Sequence, residues 1–263
     1  MNKLISVVVP AFNEAEYLKK TLLSLKSQIY RPMEIIVVDN ASTDQTREIA
    51  EKYADRVISL SKKGASRARN FGAKFAKGEY LLFLDADTRL SKNAVGNAVK
   101  SMKGGWAGGT FKVQYDRESP KIKLIKKIQF FYLGKGKPFY TQSIFTTKKI
   151  FESNKGWNEE IQFGEDVDML RKISRHGKLK FVFNSLMKTS SRRFIKNKDY
   201  FYAIMGGALA LYGVKSLPFY PIRNAGEKQI SKKDVLKKIF QAGKIKNGGI
   251  IALAKFKAIR FVR

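Results

Sequence analysis

Along the first 90 residues, short aliphatic runs alternate with segments whose apolar side chains recur at spacings of three and four. Residues 4–9 are nearly all aliphatic and end at Pro10, as expected of a strand buried on both faces of a parallel sheet. Ala15, Leu18, Leu22 and Leu25 then form one stripe, which predicts a helix through residue 27. The succession repeats with a strand at 34–38, a polar stretch from Asp39 to Asp44 suited to capping, and a helix to about residue 54. A strand at 56–60, a helix at 65–76 and a strand at 80–84 follow. Strands alternating with helices predict βαβ units and an open, mostly parallel sheet of the α/β class. Ligands of such sheets bind beyond the carboxyl ends of the strands. Those ends carry Pro10, Phe12, Asp39, Asp85 and Asp87.

After residue 100 the pattern loosens into glycine-rich strand material at 104–115 and a basic, apolar stretch at 121–140. Regular signals return as a strand at 140–145, a helix at about 164–175 and a strand at 179–183. Beyond residue 186 the composition shifts, with 18 Lys or Arg against 3 Asp or Glu. This places a soft boundary near 185, between a sheet domain at 1–185 and a basic, mainly helical extension at 186–263. The uncharged stretch 200–214 falls short of the ~18–20 residues a bilayer span needs. The apolar run before Pro10 and Glu14 is too short to act as a signal peptide.

Composition narrows the chemistry. The chain of 263 residues contains no cysteine and one histidine, His176, which excludes thiolate nucleophiles, disulfides and multi-histidine metal sites. Reaction chemistry therefore falls to Asp and Glu, and any metal to carboxylate ligation. Fifty-two Lys and Arg against 22 Asp and Glu give a net charge of +30, which favours polyanionic partners. Motifs for base stacking or for a helix in a DNA groove are absent, so no nucleic-acid partner is expected.

Asp85 and Asp87 close the fourth strand with Ala86 between them. A turn there brings both carboxylates to one ligand, where they suit Mg2+ or Mn2+, ions that take few protein ligands and complete their shell with diphosphate oxygens. A bare Asp-x-Asp is weak evidence, but it is embedded in further motifs. VVVPAFNEAEYL opens the sheet, VVDNASTDQT ends the second strand, GASRARNFGAKFAKGEYLLFLDADT leads into Asp-x-Asp, and GWNEEIQFGEDVDMLRK follows later. In these four elements, over about residues 1–185, the chain resembles the family 2 glycosyltransferases.

That resemblance implies a GT-A fold, a Rossmann-like open mixed sheet flanked by helices. It also implies a metal-dependent, inverting transfer from a UDP- or GDP-linked sugar to a hydroxyl acceptor, either a glycan or a lipid-linked saccharide. Position by position, it implies that Pro10, Phe12 and Glu14 line the base and ribose pocket and that Asp39 bonds the base. Arg69 is implied to contact the nucleotide, with Arg67 and Lys63 as weaker choices. Asp85 is implied to hold ribose and orient the metal shell, and Asp87 to ligate Mn2+ or Mg2+. Asp166, beside Glu165, is the implied general base, removing the proton of the acceptor hydroxyl as its oxygen attacks the anomeric carbon. Trp157 and Trp106 are implied to contact donor or acceptor sugar, although each suits a structural role equally well.

Asp168, close to Arg171 and Lys172, reads as an ion-pair partner, and His176 as part of a helix C-terminus. Arg192 and Arg193 are candidate diphosphate clamps, because guanidinium forks match phosphate oxygens, with plain surface charge as the alternative. Dolichol-phosphate sugar synthases share the sheet and the Asp-x-Asp, but their acceptor is an already ionised phosphate that needs no base, so Glu165-Asp166 points to a hydroxyl. A nucleotide-sugar or glycan-binding module without turnover is the other alternative, distinguished by whether Asp166→Asn removes an activity. Residues 121–132 mix Lys121, Lys123, Lys126 and Lys127 with Ile122, Phe130 and Phe131, and residues 250–262 are similar. Both suit an anionic membrane surface, which predicts a cytoplasmic protein held peripherally at the membrane face.

Overall fold

A computed structural model describes residues 2–161 and 164–192. One eight-stranded sheet runs through it, in the order β3-β2-β1-β4-β7-β6-β8-β5. The first four strands are β1 (Ile5–Ala11), β2 (Met33–Asp39), β3 (Arg56–Ser59) and β4 (Tyr80–Leu84), all mutually parallel. Helices α1 (Ala15–Lys26), α2 (Thr46–Tyr53) and α3 (Ala65–Phe75) connect them, as the βαβ pattern predicts. The second half is mixed. β7 (Ser143–Thr147) runs antiparallel to β4 and to β6 (Gly108–Tyr115), while β8 (Leu179–Thr189) is parallel to β6 and antiparallel to β5 (Thr88–Leu90). The open mixed sheet implied by the family resemblance is what the described residues form.

The period-two alternation of the strands sorts their side chains between two cores. Val7, Val9, Ile35, Val37, Leu82 and Leu84 face the layer containing α1 and α4 (Ala94–Lys103). Val8, Ile36, Val38, Leu81 and Phe83 face α3 and α7 (Glu165–Ser174). Each fully buried aliphatic contributes about 1.5–3 kcal/mol, so the aliphatic runs drive the sheet to be covered on both sides. Gly72 allows α3 to lie close to the sheet, because a Cβ there would sit 2.4 Å from Val8 Cγ1. Helices α5 (Pro120–Gly134) and α6 (Lys148–Ser153) complete the described elements.

Three expectations need correction. β5 and α4 fill residues that carried no predicted element, and β7 begins at Ser143 rather than at residue 140. β8 continues to Thr189, since Lys112–Tyr115 pair with Leu186–Thr189 after a bulge. The boundary near 185 therefore falls inside a strand, and the sheet reaches Thr189. Residues 193–263, including Arg193, the apolar stretch 200–214 and the segment 250–262, lie outside the described residues. Among the described residues no helix is long and apolar enough to cross a membrane.

Candidate active site

The parallel strands β1, β2 and β4 deliver their carboxyl ends to one edge of the sheet. Pro10 pairs with Val38 and Ala11 with Asp39, so the loop that carries Phe12 and Glu14 lies beside the β2 end. This loop is locally constrained. Asn13 and Ala41 adopt left-handed backbone with φ of 51° and 61°, a conformation that costs a non-glycine residue about 1 kcal/mol or more. Asn13 Oδ1 accepts from the Thr43 amide at 2.8 Å, and the Asn13 amide donates to Ser42 Oγ at 3.0 Å, which locks the two loops together. Asp39 is buried and accepts from the Ser42 amide at 3.3 Å. Lys63 Nζ lies 4.1 Å from the centre of the Phe12 ring.

The backbone turns after β4, where the Thr88 amide donates to the Asp85 carbonyl at 3.1 Å. On one side of this turn, Arg69 Nη2 donates to Asp85 Oδ1 at 2.9 Å and Arg69 Nη1 to Glu165 Oε1 at 3.2 Å. On the other side, Arg192 Nη2 donates to Asp87 Oδ2 at 3.2 Å and to Glu14 Oε1. The Arg192 guanidinium also rests 4.4 Å over the Tyr17 ring. Thr189 Oγ1 approaches Asp87 Oδ1 at 3.4 Å. Two guanidinium bridges thus pair four carboxylates at one edge: Arg69 joins Asp85 to Glu165, and Arg192 joins Glu14 to Asp87.

Asp166 is one residue into α7, which Gly164 opens at φ 80°, a backbone that favours glycine. Its Oδ2 accepts from the Thr141 amide at 2.6 Å and its Oδ1 from the Val167 amide at 2.9 Å. Thr141 precedes Gln142, whose carbonyl accepts from the Asp85 amide at 3.0 Å, so Asp166 is seated beside the Asp-x-Asp turn. Burial pushes the Asp166 carboxyl up to about 8, the Glu165 charge adds to the rise, and the two amide bonds and Arg69 oppose it. Such a carboxyl holds its proton far more tightly than an exposed aspartate and titrates near neutrality.

Among the described residues no cluster of three or more His, Asp or Glu is placed to hold a metal. The two carboxylates of Asp85 and Asp87 do fit Mg2+ or Mn2+, hard ions that bind one or two carboxylates and take their remaining oxygens from water and phosphate. Asp87 would have to release Arg192 to do so.

Other expected residues lie elsewhere. Trp106 precedes β6, which runs in the same direction as β4, so it sits at the amino edge of the sheet, away from the carboxylates, with Lys180 Nζ 4.7 Å from its ring centre. The sugar contact expected of Trp106 is therefore not supported. Trp157 is core: 3% exposed, edge-on to Phe83 at 5.3 Å and 85°, with the Arg69 guanidinium 4.6 Å from its ring centre. Arg67 pairs with Glu159 at the surface, 3.1 Å away. Asp168 bonds Lys172 at 3.3 Å, as its spacing predicts, and the His176 amide closes α7 on the Ile173 carbonyl. Sequence reasoning misses Thr141 and Tyr17. The first acts through a backbone amide, which no side-chain pattern reveals, and the second is reached only when β8 brings Arg192 back.

The family model for Glycosyl transferase family 2 matches residues 6–162, more than half of the chain. The chain belongs to this family. A sequence similar to it is the poly(ribitol-phosphate) β-N-acetylglucosaminyltransferase TarS of Staphylococcus aureus, 25% identical over 218 residues, covering 75% of this chain and 35% of TarS. Another is the UDP-Glc:α-D-GlcNAc-diphosphoundecaprenol β-1,3-glucosyltransferase WfaP of Escherichia coli, 37% identical over 105 residues, covering 38% of this chain and 42% of WfaP. The chain spans about a third of the length of most such relatives. The crystal structure of TarS residues 1–349 with UDP-GlcNAc superposes with a TM-score of 0.60 at 22% identity, over 78% of this chain and 66% of that one. The mannosyltransferase PcManGT of Pyrobaculum calidifontis, in complex with GDP-Man and Mn2+, gives 0.63 at 17% identity, over 100% and 82%. The fold of this family 2 member is thus the GT-A fold.

Proposed function

We propose that the chain transfers a sugar from a nucleoside-diphosphate sugar to a hydroxyl acceptor by a single inverting displacement. The observation that carries this reading is the convergence of Asp166 with the Asp85 and Asp87 turn, linked through Glu165 and Arg69. Asp166 takes the proton of the acceptor hydroxyl, the acceptor oxygen forms a bond to the anomeric carbon, and the bond from that carbon to the diphosphate breaks on the opposite face. The nucleoside diphosphate leaves with the electron pair. Asp87, with Asp85, would hold Mn2+ or Mg2+, whose Lewis acidity offsets charge growing on the leaving diphosphate. Pro10, Phe12, Glu14 and Asp39 line the edge where base and ribose bind, and Arg192 is placed to exchange Asp87 for diphosphate oxygens.

The nucleotide sugars bound by TarS and PcManGT support a UDP- or GDP-linked donor, and the diphosphoundecaprenol acceptor in the name of WfaP supports a glycan or lipid-linked acceptor. The buried base favours a hydroxyl acceptor over a lipid phosphate, which is already ionised. The basic, partly apolar α5 supports a peripheral position on the cytoplasmic face of an anionic membrane. The test is a screen of UDP- and GDP-sugars with Mn2+, read by nucleotide release and thermal shift. Release with at least one donor, abolished by chelation, is the expected result. Failure of every donor to bind or turn over would refute the reading, and donor binding without turnover across an acceptor panel would favour the binding-module alternative.

A further inference from the structure

We infer that Arg69 is a positioning residue that ties the Asp85 carboxylate to the start of α7, rather than a contact of the nucleotide. The inference rests on the proposed role of Asp166. Arg69 is 8% exposed, and each of its two terminal nitrogens is committed to a different carboxylate, Asp85 at 2.9 Å and Glu165 at 3.2 Å. These belong to separate elements, the end of β4 and the first turn of α7, which no regular backbone pairing joins directly. The guanidinium is also held 4.6 Å over Trp157, whose ring packs edge-on against Phe83 of β4. The platform under Arg69 is therefore sheet core, and the arginine extends its rigidity to α7.

Charge explains why a cation belongs there. Asp85 and Glu165, both half-buried, meet at Arg69, and Glu165 adjoins the buried Asp166, so a cation there offsets repulsion between the carboxylates. A guanidinium satisfies two of them in a fork that a lysine cannot reproduce. Arg69 is buried against Trp157 with both terminal nitrogens turned to carboxylates, so reaching a nucleotide would require it to move from that seat. Because Asp166 directly follows Glu165, the bond to Glu165 sets where the proton acceptor stands relative to the donor turn.

The test compares Arg69→Gln and Arg69→Lys with the unmodified chain, measuring UDP and GDP affinity with Mn2+ by calorimetry and transfer by nucleotide release. A displacement of the base by an ångström is worth about 100-fold in rate, so kcat should fall about that far while nucleotide Kd stays within about threefold. Arg69→Lys should recover little of the rate, and Arg69→Gln combined with Glu165→Gln should lose no more than Arg69→Gln alone. Nucleotide affinity falling in step with kcat, or an unchanged kcat, would overturn the inference. If Arg69→Gln does not fold, Arg69→Lys carries the comparison. If the unmodified chain turns over no donor, the proposed activity fails separately, and urea unfolding of the Arg69 and Glu165 single and double variants decides the tie: coupled effects support it and additive ones overturn it.

Discussion

At the scale of single residues, the candidate site contains a carboxyl kept in an unfavourable place, the buried Asp166. Asp166 is expected to lose most of the transfer activity when changed to Asn, by about 10²–10⁴-fold, while nucleotide binding measured by calorimetry persists. The acid limb of kcat/KM should lie near pH 8 and disappear in that variant. Stability follows with a definite sign. The folded chain holds the Asp166 proton up to about 8, the unfolded chain releases it near 3.8, and so stability falls as pH rises through that window. Urea unfolding at pH 5 and pH 8.5 should show a smaller pH-dependent loss for Asp166→Asn than for the unmodified chain; equal losses would mean that the burial of this charge is unimportant. The residues of the donor edge are legible in sequence, because Asp39, Asp85 and Asp87 end aliphatic runs. Their partners are not, since Arg69 meets Glu165 from 96 positions away and Arg192 meets Glu14 from 178.

At the scale of elements, periodicity predicts the first half and fails where strands borrow their pairing from distant chain. The three βαβ units have apolar runs long enough to require burial on both faces, and the structure follows them closely. The α4 stripe of Ala94, Val95, Ala98, Val99 and Met102 is present in the sequence but is diluted by Gly96, Asn97 and Lys100. The end of β8 carries no such signal: Leu186–Thr189 become strand because β6 and β5 lie beside them. The α3 contact with the sheet provides the sharpest test at this scale. Gly72→Ala would drive a methyl into Val8, an overpacking expected to cost about 1–3 kcal/mol in urea unfolding. A variant of unchanged stability would show that α3 can move away freely.

At the scale of the whole molecule, the chain carries a net charge of +30, whereas the described sheet edge gathers the carboxylates of Glu14, Asp85, Asp87 and Glu165. On α5, Ile122, Ile125 and Leu133 are buried, whereas Phe130 and Phe131 are each 53% exposed near Lys123, Lys127 and Lys135. Binding to vesicles rich in anionic lipid is therefore expected to weaken with added salt and again in a Phe130→Ser, Phe131→Ser variant, as flotation would measure. Vesicle binding indifferent to both would remove the membrane from the proposal. The sequence by itself determined the α/β class and the family, and it directs the proposed chemistry to Asp and Glu, because aliphatic runs must be buried and a chain without cysteine and with one histidine has few other reactive groups. Only the tertiary structure decided that Trp106 lies at the opposite edge, that Trp157 is core under Arg69, that the domain continues through β8, and that Asp166 is buried enough to titrate near neutrality. Strand direction, distant pairing and desolvation arise from the packed arrangement, and no local pattern of residues encodes them.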